Sequence, residues 1–173
     1  ASSAFSNCTS LVRVHLPEGL ARIEGWTFDG CTSLSEVNIP EGVNYIGMDA
    51  FRNCSSLSAI QIPQGVTIID DEAFMGCQTP TELTIPDKVE NVGWDAFWGC
   101  SSLTSINIPD GIEDIEYNAF LGCSSLSNVT IPNSVTYIQY DAFYNCTSLK
   151  TVTLSGFLDS IGDHAFGYYL SAG

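Results

Sequence analysis

The chain has 173 residues, 45% hydrophobic and 14% charged, and its 20 acidic against 5 basic side chains give a formal net charge of −15. So much apolar content excludes a disordered chain, and the acidity excludes the basic face that nucleic acid or an anionic lipid surface demands. No apolar run approaches the roughly 20 residues that span a bilayer, so membrane insertion is not expected. No signal peptide is visible at the start, where Ala1-Ser2-Ser3-Ala4-Phe5 already lies inside a repeat; the expectation is a fragment of a longer chain.

The repeat governs every later reading. Cys8, Cys31, Cys54, Cys77, Cys100, Cys123 and Cys146 follow one another every 23 residues, and phenylalanine keeps the same step from Phe5 to Phe166. A fixed period of this length means stacked structural units. A residue that recurs with the unit is architecture, so individual chemistry has to come from departures.

Each unit opens on Ala-Phe-x-x-Cys-x-Ser-Leu, continues through x-x-Val-x-Ile-Pro and closes on x-x-Val-x-x-Ile before the next Ala-Phe. In the unit that starts at Phe97, Leu103, Ile106 and Ile108 end in the alternation of a strand. Ile106 and Ile108 point to one face, Ser105 and Asn107 to the other. Pro109 ends the strand, because proline lacks the donor that a sheet interior needs. The apolar spacing then loosens through Ile112, Ile115 and Phe120, and Cys123 follows Phe120 at i+3, which predicts a short helical turn. One unit cannot bury both its strand and its return segment; stacking neighbours closes a continuous core. The predicted architecture is an α/β repeat solenoid, a single domain over residues 1–173 of about seven and a half repeats. Each 23-residue repeat has one short parallel strand and a short helical or irregular return segment. Departures fall at Thr27, Pro80, Ser155, Phe157 and, where the last cysteine is due, Tyr169.

The string Leu-x-x-Val-x-Ile-x-x-x-Val-x-x-Ile maps onto a leucine-rich repeat. With Cys31-Thr32-Ser33-Leu34, Ile39-Pro40 and Ala50-Phe51 it resembles the BspA-like leucine-rich repeat family, over essentially the whole chain. The resemblance implies a non-catalytic binding module of a secreted or cell-surface protein, active in adhesion by protein or glycan recognition. The alternative is a structural subunit of a larger extracellular or multi-protein assembly, docked through an aromatic patch on the return side.

The cysteines lack the paired Cys-x-x-Cys spacing of a metal site. Stacking puts equivalent cysteines about 5 Å apart, but side chains that all point inward in parallel reach a disulfide torsion poorly. They read as a ladder of buried free thiols acting as small hydrophobes. The two histidines, His15 and His164, lie at opposite ends of the chain, so no nucleophile has a base in reach. No phosphate-binding glycine loop is present, and no cofactor or metal is implied. The acidic runs Asp70-Asp71-Glu72 and Asp110, Glu113, Asp114, Glu116 follow no calcium-loop pattern. They read as a solvated return face. Four sequons start at Asn7, Asn53, Asn128 and Asn145; they are candidate N-glycosylation sites of a secreted glycoprotein.

Two surfaces are left that could bind a partner. The outward strand positions form a polar sheet face: Arg13, His15, Glu36, Asn38, Gln61, Glu82, Thr84, Asn107, Asn128, Thr130, Thr151 and Thr153. Solenoids use such faces for extended recognition, here a glycan or an extended peptide. On the return side, Trp94, Tyr117 and Tyr140 stand three residues before phenylalanine in consecutive units, and Trp98, Leu121 and Tyr144 one residue after it. Ala119, Phe120 and Cys123 already fill the inside, so these rows are expected outside, as an interface for a partner or for self-association.

Overall fold

The computed structural model describes residues 2–57, 60–78 and 81–168, with only the backbone of Glu82. Ala59, Pro80 and Tyr169 lie outside the described residues, as does the Glu82 side chain. The chain winds into a parallel solenoid. Three-residue strands at Arg13–His15 (β1), Glu36–Asn38 (β3), Glu82–Thr84 (β6), Ser105–Asn107 (β8), Asn128–Thr130 (β10) and Thr151–Thr153 (β12) line one side. They pair in parallel, β1 with β3, β6 with β8 and β10 with β12, with Arg13 opposite Glu36 and Asn128 opposite Thr151. The partners are 23 residues apart, so the sequence period is also the ladder register.

Pro40, Pro63, Pro86 and Pro109 follow the strand positions, and each offers its carbonyl to the N–H three residues on, for example Val43 N to Pro40 O at 3.0 Å. The chain turns this corner into a second parallel ladder of two-residue strands. These are Arg22–Ile23 (β2), Tyr45–Ile46 (β4), Ile68–Ile69 (β5), Asn91–Val92 (β7), Asp114–Ile115 (β9), Tyr137–Ile138 (β11) and Ser160–Ile161 (β13). In each of β2, β4, β5, β7, β9 and β11 the second residue is buried. Two residues are too few for alternation, which is why the sequence showed only one strand per unit.

The expected helical turn does not form; the return segment contains no helix among the described residues. Its N–H groups alternate between two partners. Thr27, Asp29 and Cys31 donate to carbonyls three residues back, whereas Trp26, Phe28 and Gly30 donate to Met48, Ala50 and Arg52 of the next coil at 2.8–2.9 Å. An α-helix would have spent every donor locally. Left-handed backbone at Trp26 (φ 57°) and Gly30 (φ 71°) also interrupts the run of helical dihedrals. The i+3 spacing of Phe120 and Cys123 is therefore that of overlapping turns.

The core is one cluster of columns. Phenylalanine rings from Phe5 to Phe166 stack with centroids 5.1–5.5 Å apart and planes within 16°. Six cysteines are buried and none is disulfide-bonded; Cys8, read as inward-pointing, is exposed in the first coil. Each buried thiol from Cys31 to Cys146 donates to the phenylalanine carbonyl of the preceding coil, at 3.0–3.4 Å. Burial pushes these thiols up, Cys146 to about 12 and Cys77, Cys100 and Cys123 well above their ordinary value.

Candidate interface on the return side

Part of the polar strand face is bonded within the solenoid. Arg13 Nε pairs with Glu36 at 2.7 Å. The Asn38 side-chain carbonyl accepts the Leu16 N–H at 3.0 Å, and Asn107 bonds the backbone N–H and carbonyl of Ile85, both at 2.8 Å. His15, Gln61, Thr84, Asn128, Thr130, Thr151 and Thr153 are exposed, and Asn128, Thr130 and Thr153 border a shallow open groove with Asp110 and Asn133. Large aromatic side chains do not occur on it.

The return side differs. Trp94 is 53% exposed, Trp98 39%, Tyr117 43% and Tyr140 45%, and Leu121 and Tyr144 are half-buried. Backbone geometry holds them. The residue two before phenylalanine is left-handed in every coil, at Asp95, Asn118, Asp141 and His164 among others, which turns its neighbours out of the core. The rings are also braced laterally. Trp94 meets Tyr117 edge to face at 5.9 Å, and its Nε1 donates to Glu116 at 3.0 Å. His164 lies 5.7 Å from Tyr140 and 6.0 Å from Tyr144.

Carboxylates interleave with these rings, a feature that the sequence reading passed over as a solvated face. In the earlier coils one cation serves three of them. Arg52 Nη1 lies 2.8 Å from Asp49 and 3.4 Å from Glu72, and its Nε lies 4.0 Å from Asp29. The signal was present as an acid two residues before Phe51, Phe74, Phe97 and Phe143. Burial pushes the Asp29, Glu72 and Asp95 carboxyls above their ordinary values, more than Arg52 lowers the first two. The run Asp70-Asp71-Glu72 is structural as well: Tyr45 donates to Asp70 at 2.5 Å, which helps push the phenol up to about 12, and Trp94 N–H donates to Asp71 at 2.9 Å. Among the described residues no three histidine, cysteine or acidic side chains converge as metal ligands, and no helix is long and apolar enough to cross a membrane.

The sequon asparagines Asn7, Asn53 and Asn145 all adopt left-handed backbone, at φ 57–58°, in the column that Gly30, Gly76, Gly99 and Gly122 fill elsewhere. Asparagine tolerates that conformation better than most residues, so backbone geometry accounts for it there. Asn128 stands exposed on β10.

Comparison with known proteins places these features in a family. The profile of the BspA type leucine rich repeat region matches residues 1–102 and 44–171, with six copies. A leucine-rich repeat protein from Bacteroides ovatus is 30% identical with a TM-score of 0.90 over 95% of this chain; the match spans 43% of that protein's chain, less than half its length. The leucine-rich repeat protein of T. pallidum is also 30% identical, with a TM-score of 0.79, over 87% of this chain and 71% of its own. A leucine rich cell surface protein from Faecalibacterium prausnitzii shares the fold at 24% identity and a TM-score of 0.53, over 89% of this chain and 62% of its own. A search of curated proteins found no match. The chain belongs to the BspA type leucine-rich repeat family, whose members are typically non-catalytic.

Proposed function

We propose that this chain is a non-catalytic binding module of a secreted or cell-surface protein, acting in adhesion by recognising a protein or glycan partner through its return side. The observation that carries this reading is the run of half-exposed rings at Trp94, Trp98, Tyr117 and Tyr140 on adjacent coils. Tryptophan and tyrosine contribute most to binding hot spots because each covers a large area with few torsions to freeze. Bracing by neighbouring rings lowers that cost further. Repeat solenoids generally mediate interactions through such extended surfaces.

A panel of immobilised extracellular-matrix proteins and glycans tests the reading. The chain should retain a ligand that is lost with Trp94→Ser/Tyr117→Ser and kept with Thr130→Arg/Thr153→Arg. The opposite pattern would move the site to the strand face. No retention on any member of the panel would overturn the adhesion reading. Self-association that the Trp94→Ser/Tyr117→Ser pair abolishes in sedimentation would instead make the chain a structural subunit.

A further inference from the structure

The solenoid places a carboxylate two residues before phenylalanine in four coils and meets that charge with a built-in arginine only around Asp49 and Glu72. Two residues before phenylalanine stand Asp49, Glu72, Asp95, Asn118, Asp141 and His164. In the earlier coils Arg52, one residue after Phe51, reaches Asp49, Glu72 and Asp29. At the positions equivalent to Arg52 the later coils carry Met75, Trp98, Leu121 and Tyr144. The remaining basic residues are Arg13, Arg22, Lys88 and Lys150, all outside these columns.

The later carboxylates Asp95 and Asp141 have no arginine or lysine beside them. Asp95 Oδ1 and Asp141 Oδ1 are buried oxygens without a hydrogen bond. Asp141 has the exposed His164 imidazole at 3.8 Å, and the Asn118 side chain bonds the Asp95 carboxyl, which burial pushes up by more than that bond lowers it. An uncompensated carboxylate next to low-dielectric rings is relieved most by a positive charge.

Register defines where that charge would sit. His164 touches both Tyr140 and Tyr144 of the preceding coil. The column two before phenylalanine therefore lies between the two aromatic rows. Shifted by one period, Asp141 stands between Tyr117 and Leu121, Asn118 between Trp94 and Trp98, and Asp95 between Asp71 and Met75; in its own coil Asp95 lies between Trp94 and Trp98 in sequence. Asp95 and Asp141 thus stand among these rings, an arrangement that suits a guanidinium, which stacks on a ring and bonds a carboxylate through its edge. The chain makes that contact itself once: the Arg22 guanidinium lies 3.8 Å over the Tyr45 ring, with Glu24 3.3 Å from its Nε.

We propose that the return face formed by Trp98, Tyr117 and Tyr144 with Asp95 and Asp141 docks an arginine-rich segment of a partner protein, whose guanidinium groups stack on these rings and supply the positive charge that Arg52 supplies in the earlier coils. The proposal rests on the reading of this face as the binding surface. The net charge of −15 draws such a segment from a distance, and the rings fix where it lands. Hydroxyl-rich glycans would leave the buried carboxylates uncompensated.

A fluorescein-labelled peptide of alternating arginine and serine, titrated at physiological salt and followed by anisotropy, tests this on the intact chain. The repeat itself supplies variants that keep the fold: Trp98→Leu copies Leu121, and Asp95→Asn copies Asn118. Saturable 1:1 binding is expected, weakened about three- to tenfold by either change. Glu18→Gln and Glu41→Gln remove one charge each from exposed corners elsewhere and should leave it unchanged. Equal weakening by all four variants would reduce the effect to net charge and overturn the proposal, as would an absence of binding. If the peptide fails while the matrix and glycan panel still yields a ligand sensitive to Trp94→Ser/Tyr117→Ser, the cationic partner alone is wrong. If both fail, the binding surface is wrong too.

Discussion

The Cys77 thiol donates to the Phe51 carbonyl, 26 residues earlier, at 3.1 Å, and the same carbonyl accepts the Cys54 N–H at 3.0 Å. The carbonyl thus keeps a partner if the thiol is removed, so the side chain contributes mainly volume. Cys77→Ala should cost about 1 kcal/mol, the lower end for a small buried cavity, measured by denaturant unfolding. A loss above about 3 kcal/mol would show that the thiol bond itself holds the coils together.

Burial and raised thiol pKa values both suppress thiolate chemistry. Native protein treated with iodoacetamide should take up one label, on Cys8, and all seven cysteines should label after unfolding. Mass spectrometry counts the adducts. Rapid labelling at Cys77 or Cys100 in the native state would contradict the packed core.

Arg52 holds Asp49, whose side chain is only 4% exposed, from a position that is itself 38% exposed. Arg52→Met, copying Met75, should destabilise by about 1–3 kcal/mol, because the buried carboxylate loses its partner. The double change Arg52→Met/Asp49→Asn should recover most of that loss, since it removes the stranded charge. Equilibrium unfolding of these two variants and of Asp49→Asn alone closes the cycle.

The columns were legible because each is one residue type at one period. The strands at Ser105–Asn107 and Asn128–Thr130, the buried thiols and the phenylalanine stack all follow from the 23-residue step. The return segment was misread because i+3 spacing is common to a helix and to overlapping turns. The column Asn7, Gly30, Asn53, Gly76, Gly99, Gly122, Asn145 held the correction: in the seven coils that carry the cysteine only asparagine and glycine occur there, the residues that favour left-handed backbone. Likewise, the exposed rings stood out as departures, whereas the carboxylates between them recur with the repeat and so passed as architecture. Sequence spacing also could not show that Asn38 and Asn107 spend their amides on the neighbouring coil.

Stability should rise on mild acidification. Burial raises the Asp29, Glu72, Asp95, Asp114 and Glu116 carboxyls above their unfolded values. Such groups bind protons more tightly when folded. Their contribution is fully present below the ordinary carboxylate pKa, near 4, and is lost as pH rises through the raised values. The melting temperature should therefore be higher at about pH 4 than at about pH 7.5. A melting temperature that is instead lower at the acidic end would mean that carboxylates favoured in their charged form dominate the balance.

Left-handed backbone gives a paired test of the return segment. At Gly99 (φ 74°) an added Cβ would meet nothing closer than 3.8 Å, so Gly99→Ala meets no clash and its cost is conformational, about 1–2 kcal/mol. Asn53→Gly, at φ 57° in the same column, should be close to neutral, because the residue fills there a role that glycine fills in other coils. That change also deletes the sequon at Asn53. Thermal unfolding of the two variants separates the roles. If Asn53→Gly destabilises by more than about 1 kcal/mol, the asparagine amide makes a contact that glycine cannot replace. If Gly99→Ala is neutral, the coil relaxes out of the left-handed region, and the turn geometry that positions Trp98 is softer than its hydrogen bonds imply.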